Sequence, residues 1–226
     1  MKEPVILMIE TSTECCSVSL ARGNEIIAER VTTTPKLHAS LTAVFVEEVL
    51  RECSLTAADC DAVAVSEGPG SYTGLRVGVS TAKGLCFGAS RPLIGVGTLD
   101  ILAQQGRGMA DMIVPMIDAR RMEVYCACFD SEANRLTDVE ARIIGPDSFR
   151  EELDRGTVLF IGNGAGKTAG VISHPNARFE ECFPLASAMV TPALEAFKKE
   201  EFKDVAYFEP FYLKEFVAGI STKSVL

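Results

Sequence analysis

Histidine is nearly missing from this chain: His38 and His174 are the only two in 226 residues. A metal-binding helix would carry a second histidine four residues on, but the residue four after His38 is Thr42. There is no His-Glu-x-x-His pattern, no Gly-x-Ser-x-Gly elbow, and no histidine obviously placed to activate a serine or cysteine. Hydrolytic chemistry therefore has little support, and His38, beside Ser40, reads as a helix-surface or interface residue. The eight cysteines contain no Cys-x-x-Cys pair. Cys15 and Cys16 fall on opposite strand faces and Cys126 and Cys128 on the same one, so all read as reduced structural thiols. Cations are also short, with 22 Lys and Arg against 31 Asp and Glu, a formal charge of −9, and no basic run. Such a chain does not grip a polyphosphate backbone by itself, and a nucleic acid would be held by a more basic partner. Long apolar runs are absent as well. After Met-Lys-Glu-Pro, the run 5–9 is too short for a signal peptide or a membrane span, so the expectation is a cytoplasmic protein without a membrane.

What is present suffices for a core: 47% of the residues are hydrophobic. The length suits one large domain or two of roughly 100 residues. Strand-like runs at 5–11, 15–21 and 25–31 form a meander. A helix over 37–51 follows, approached by Pro35. A strand at 61–66, a helix at 72–87, a strand at 92–96 and a helix at 98–105 capped by Thr98 complete a βββαβαβα order. Gly106-Arg107-Gly108 reads as a linker. The order then returns, with strands at 112–117, 123–129 and 136–143, a helix at 147–154, a strand at 157–161, a helix at 167–174, a strand at 178–183 and a long helix at 185–200. This predicts an α/β protein of two RNase-H-like lobes, the plan of the actin, hexokinase and Hsp70 (ASKHA) superfamily. The first lobe spans 1–105 and the second 109–206, with the tail 207–226 folding back on the first lobe.

Three stretches carry the chemistry to be weighed. In Ser66-Glu67-Gly68-Pro69-Gly70-Ser71-Tyr72-Thr73-Gly74-Leu75-Arg76-Val77-Gly78 a buried strand turns sharply into a helix. The exposed amides there suit an anion, or else the glycines serve only the turn and Ser71 only caps the helix. Within that helix Gly74 and Gly78, then Gly84 and Gly88, are four apart, which leaves bare faces for a close neighbour. Arg76 and Lys83 are the only charges between Tyr72 and Gly88 and share one stripe. The helix 37–51 has two apolar sides, Leu37, Leu41, Val44, Phe45 and Val49 against Ala39, Ala43, Val46 and Leu50, with Ser40, Glu47 and Arg51 as its polar wedge. A second apolar side calls for a partner beyond the helix's own sheet: the helix 72–87, another subunit, or both. Finally, Gly162-Asn163-Gly164-Ala165-Gly166-Lys167-Thr168 is one residue short of a Walker loop, since Ile161 stands where the first glycine belongs.

The sequence resembles the TsaB (YeaZ) family from end to end. The resemblance rests on Ile6 to Thr13, Cys16-Ser17-Val18-Ser19-Leu20, His38-Ala39-Ser40 and the Gly68–Gly78 stretch. It continues through Ile117-Asp118-Ala119-Arg120-Arg121-Met122-Glu123-Val124-Tyr125 and Pro210-Phe211-Tyr212-Leu213-Lys214. It implies a partner of TsaD, the catalytic paralogue that makes threonylcarbamoyladenosine in tRNA, joined by the ATPase TsaE. It also implies a heterodimer with TsaD, a homodimer when isolated, and tRNA met only through the complex. Active nucleotide-binding relatives of the superfamily carry Asp-x-Gly at the first phosphate turn, where this chain has Glu10-Thr11-Ser12. The second turn, Asp118-Ala119-Arg120, also lacks the glycine that lets a phosphate approach backbone amides. Glu10, Ser12, Asp118, Gly162 and Gly164 are therefore read as degenerate phosphate turns, with no catalytic residue, metal or cofactor. Leu37, His38, Leu41, Phe45, Arg76, Gly78 and Leu85 are read as the partner interface. The alternatives are a small-molecule kinase or nucleotide-binding protein of the same superfamily, and a peptidase.

Overall fold

The computed structural model describes residues 3–34 and 36–213. Strand Val5–Glu10 (β1) is buried along its whole length, as a strand covered on both faces must be. Antiparallel to it lies Cys16–Arg22 (β2), followed by Glu25–Thr32 (β3), while Ala62–Gly68 (β4) and Leu93–Gly97 (β5) join in parallel on the other side. The sheet order is β3-β2-β1-β4-β5. Helices His38–Glu52 (α1) and Tyr72–Ala89 (α2) cover one face of this sheet. There Val5, Leu7, Ile9, Val18 and Leu20 meet Val46, Val49 and Leu50 of α1, and Val79, Ala82 and Cys86 of α2. Pro35, expected to lead into α1, lies outside the described residues. Helix Thr98–Gln105 (α3) ends the half, and Gly97 rather than Thr98 occupies its cap position, with Thr98 already helical.

The second half repeats the plan in shorter pieces. Its strands are Met112–Asp118 (β6), Glu123–Cys126 (β7), Phe129–Asp130 (β8), Glu140–Ile143 (β9), Val158–Ile161 (β10) and Ala177–Glu180 (β11). The order β11-β10-β6-β7-β9 reproduces that of the first sheet, with β8 as an added pairing on β6. The helices are Arg150–Arg155 (α4), Ala165–Thr168 (α5) and Val190–Lys198 (α6), the last entered through a 3-10 turn over Ala186–Met189. Four expectations need correction. The strand expected over 123–129 is interrupted between β7 and β8, and the one over 136–143 keeps only its last four residues, with Leu136 left exposed. The helix expected over 167–174 is the single turn α5, because Gly170 and the β-branched Val171 and Ile172 do not sustain it. The long helix expected over 185–200 is a 3-10 turn joined to a shorter α-helix.

The two halves are interlocked by their closing helices. On α3, Ile101 faces the first sheet, while Leu99, Leu102 and Ala103 pack with Ile113, Ile117, Phe129, Leu159 and Ile161 of the second. The chain then returns. Met189, Val190, Ala193 and Leu194 cover Ile6, Met8, Ala62, Ala64, Ile94 and Val96, the remaining face of the first sheet. After α6 the tail runs along the first half, where the Lys203 amide donates to the Leu93 carbonyl (2.8 Å). Of the tail expected to fold back on the first lobe, residues 214–226 lie outside the described part.

Candidate functional site

The first phosphate turn is filled by the chain itself. Thr11 and Ser12 leave the end of β1 and sit against the start of α2. The Ser71 amide, which the sequence offered to an anion, donates to the Ser12 carbonyl (2.7 Å). Glycine is needed along this seam because a Cβ at Gly70 would run into the Ser12 carbonyl oxygen, and one at Gly74 into that of Thr11. The Thr11 hydroxyl donates to the Gly74 carbonyl (2.8 Å), and Ser71 caps α2 by accepting from the Gly74 amide (3.2 Å). Glu10 is wholly buried; its Oε1 accepts from the Ser12 amide (2.5 Å), while Oε2 and the Ser12 hydroxyl have no protein partner. Loss of water around the carboxylate outweighs its hydrogen bonds, so its pKa is pushed up to about 7.

The second turn is occupied too. Lys167 donates through its ammonium to the Asp118 carboxylate, the Arg121 carbonyl (2.8 Å) and the Glu123 carbonyl (2.6 Å). The Asp118 amide donates to Asn163 Oδ1 (3.0 Å), and Asn163 Nδ2 donates to the Glu14 carboxylate of the first half (3.2 Å). A Cβ at Gly162, which sits at φ 120°, or at Gly164 would run into the Met116 carbonyl, which accepts from the Gly164 amide (2.9 Å), so the glycines let this turn pack closely on β6. Among the described residues no group of three or more His, Cys, Asp or Glu could hold a metal ion.

The residues expected at a partner surface divide. Gly78 is buried, and a Cβ there would strike the Thr11 hydroxyl, so its bare face serves the lobe interior and not an outside helix. Phe45 and Leu85 are half-buried against the first core. Leu37, Leu41 and His38 are half-buried, and His38 Nε2 lies 3.2 Å from the Cys15 carbonyl. Arg76 is exposed but engaged, stacked over Tyr72 (4.4 Å) and donating to the Tyr212 hydroxyl (3.3 Å). The two apolar sides expected on α1 are also redrawn, because Val46 and Leu50 join Val49 in the core and Val44 is exposed. The exposed small and apolar residues are instead Ala39, Ala43 and Val44 of α1, which share that helix's outer side with Ser40, Glu47 and Arg51, and Gly84, Phe87 and Gly88 of α2. Phe87 is 83% exposed, and a Cβ at Gly84 or Gly88 would meet open space. The spacing of Gly84, Phe87 and Gly88 is a single helical stripe and was readable as such. Which glycine pair faced outward was not.

Residues 25–218 match the family model of TsaD, tRNA N6-adenosine threonylcarbamoyltransferase. The tRNA threonylcarbamoyladenosine biosynthesis protein TsaB of Escherichia coli is 32% identical, over 94% of this chain and 96% of its own length. That of Bacillus subtilis is 35% identical over 70% of each. The chain belongs to the TsaB family. A solved YeaZ structure from Pseudomonas aeruginosa superposes with a TM-score of 0.81 at 28% identity, covering 93% of this chain and all of that one. The activator of 2-hydroxyisocaproyl-CoA dehydratase from Clostridium difficile, at 10% identity and a TM-score of 0.51, shares the fold. The TsaB family thus places this chain in tRNA threonylcarbamoyladenosine biosynthesis, on a fold of two repeated α/β halves. Among the described residues no helix is long and apolar enough to cross a membrane.

Both cations of α2 hold the tail. Lys83 donates to the carbonyls of Ala206 (3.1 Å) and Phe208 (3.0 Å), and Arg76 meets Tyr212, whose ring lies 5.0 Å from that of Tyr72. The Phe211 amide donates to the Glu67 carbonyl (2.6 Å). The charged stripe of α2 is therefore used within the chain.

Proposed function

We propose that this chain is the non-catalytic partner of a TsaD-type threonylcarbamoyltransferase and docks through the outward stripe of α1 and α2. The observation that carries this reading is Phe87, 83% exposed between two unfilled glycines and beside a second helix that exposes Val44. A large aromatic ring left in water on a nearly uncharged helix favours burial against another protein. Two such helices from each side make a contact of standard size, ~1,200–2,000 Å² in total. With TsaD absent, the same stripe pairs two copies of this chain. TsaE joins the heterodimer, and tRNA reaches this chain only through it. The silent role is supported by the two filled turns, since the Ser71 amide is taken by the Ser12 carbonyl, the Thr11 hydroxyl by the Gly74 carbonyl, and Lys167 sits on Asp118.

The test is co-expression with the TsaD of the same organism, followed by capture and mass spectrometry. Wild type should retain TsaD through purification. Phe87→Glu and Val44→Glu, both at solvent-facing positions, should melt as wild type does yet lose TsaD, because each would bury a carboxylate without a partner. Folded variants that keep wild-type affinity would place the contact elsewhere.

A further inference from the structure

We propose that the turn carrying Arg120 and Arg121 is a contact site for the phosphodiester backbone of RNA, engaged when this chain is held in its assembly. The inference rests on the reading above, which brings the chain to tRNA through a complex. Arg120 and Arg121 both adopt left-handed backbone, at φ 72° and 51°. That conformation costs a residue with a side chain about 1–2 kcal/mol at each position. The turn is braced to hold it: the Arg120 amide donates to Asp118 Oδ1 (2.8 Å) and the Glu123 amide to the Arg120 carbonyl (3.1 Å). Lys167 holds the Arg121 carbonyl from below (2.8 Å) and pairs with Asp118, so the carboxylate at the base of the turn is already neutralised.

Both guanidiniums face solvent. Both side chains are exposed and have no hydrogen-bond, ion-pair or ring partner among the described residues. Elsewhere Arg30, Arg107, Arg135 and Arg142 each pair with a carboxylate, whereas Arg22, also exposed, has no such pair among the described residues. In a protein of net charge −9, two adjacent guanidiniums on a braced turn, without a partner among the described residues, give a polyanion a local positive site. Planar, five-donor guanidiniums match phosphate oxygens better than any other cationic side chain. A free nucleotide fits less well, because Lys167 already occupies Asp118 and Asn163 is tied to Glu14 of the first half.

The left-handed backbone supplies a clean variant. Glycine adopts it without strain, so Arg120→Gly with Arg121→Gly removes both charges and keeps the turn. The complex of this chain with its TsaD partner would be titrated with unmodified tRNA across a range of salt. The glycine variant should assemble as wild type does and bind tRNA about tenfold more weakly near physiological salt. The slope of log K against log salt should flatten by about one to two. Arg120→Lys with Arg121→Lys, which keeps the charge, should keep most of that slope. An assembled glycine variant with unchanged affinity and slope would overturn the inference. So would a glycine variant that no longer assembles, which would make the turn a protein contact. Failure of the wild-type chain to assemble with TsaD would sink the functional reading first, and this one with it.

Discussion

Glu10 is held with one oxygen on the Ser12 amide and the other in a dry interior. Its pKa of about 7 lies above the ordinary value of 4.5, so the folded chain keeps a proton that the unfolded chain releases between those values. Stability should therefore fall as pH rises from about 4.5 to about 7, and change little from this source beyond. The size is on the order of 3 kcal/mol. Glu10→Gln keeps the shape and removes the titration. It should stabilise the protein against urea at pH 8 far more than at pH 5, and parallel pH profiles for the two proteins would contradict this. Glycine offers a second comparison at this scale. Gly78→Ala should cost about 1–3 kcal/mol, since the new methyl meets Thr11, whose hydroxyl is already committed to Gly74. Gly84→Ala meets nothing and should gain up to about 1 kcal/mol from helix propensity. Equal melts for the two variants would show that the inward and outward faces of α2 are assigned wrongly.

At the scale of elements, the first half was legible because its signals are long and local. The strand β1 is an unbroken apolar run, and Ser71 capped α2 as its position before the helix suggested. The second half was less so. Its pieces, α5 above all, are too short to show a period. The outward stripe of α1 was misdrawn for a related reason. Alanine and valine suit either side of a helix, and only the sheet beneath decided that Val46 faced in and Val44 out. The exposed stripe also makes a prediction about the isolated protein. Wild type should show a concentration-dependent dimer in sedimentation, and Phe87→Glu should shift it to monomer. A wild-type monomer at all concentrations would argue that the stripe is too small to pair two copies.

At the scale of the molecule, the exchange of α3 and α6 ties the halves into one structure. A fragment of residues 1–105 would expose the face of Ile6, Met8, Ile94 and Val96 that α6 covers. It should lack a cooperative melt and bind a hydrophobic dye, whereas the whole chain should not; a fragment with a sharp transition would show the first lobe to be self-sufficient. The filled turns also bear on nucleotide binding. Calorimetry with magnesium and ATP should give no low-micromolar binding to the isolated chain, and such binding would favour a kinase-like member of the superfamily.

The amino-acid sequence determined the order of elements, the scarcity of histidine and the missing phosphate glycines, because these are properties of neighbouring residues and their period. It also carried the family, through stretches such as Asp118 to Tyr125. Tertiary structure alone decided that Gly70, Gly74 and Gly78 face Thr11 and Ser12, that Arg76 and Lys83 hold the tail, and that α6 closes the first sheet. Each of these joins residues dozens of positions apart. A helix's apolar stripe states that it will be covered, and only the packed chain states by what.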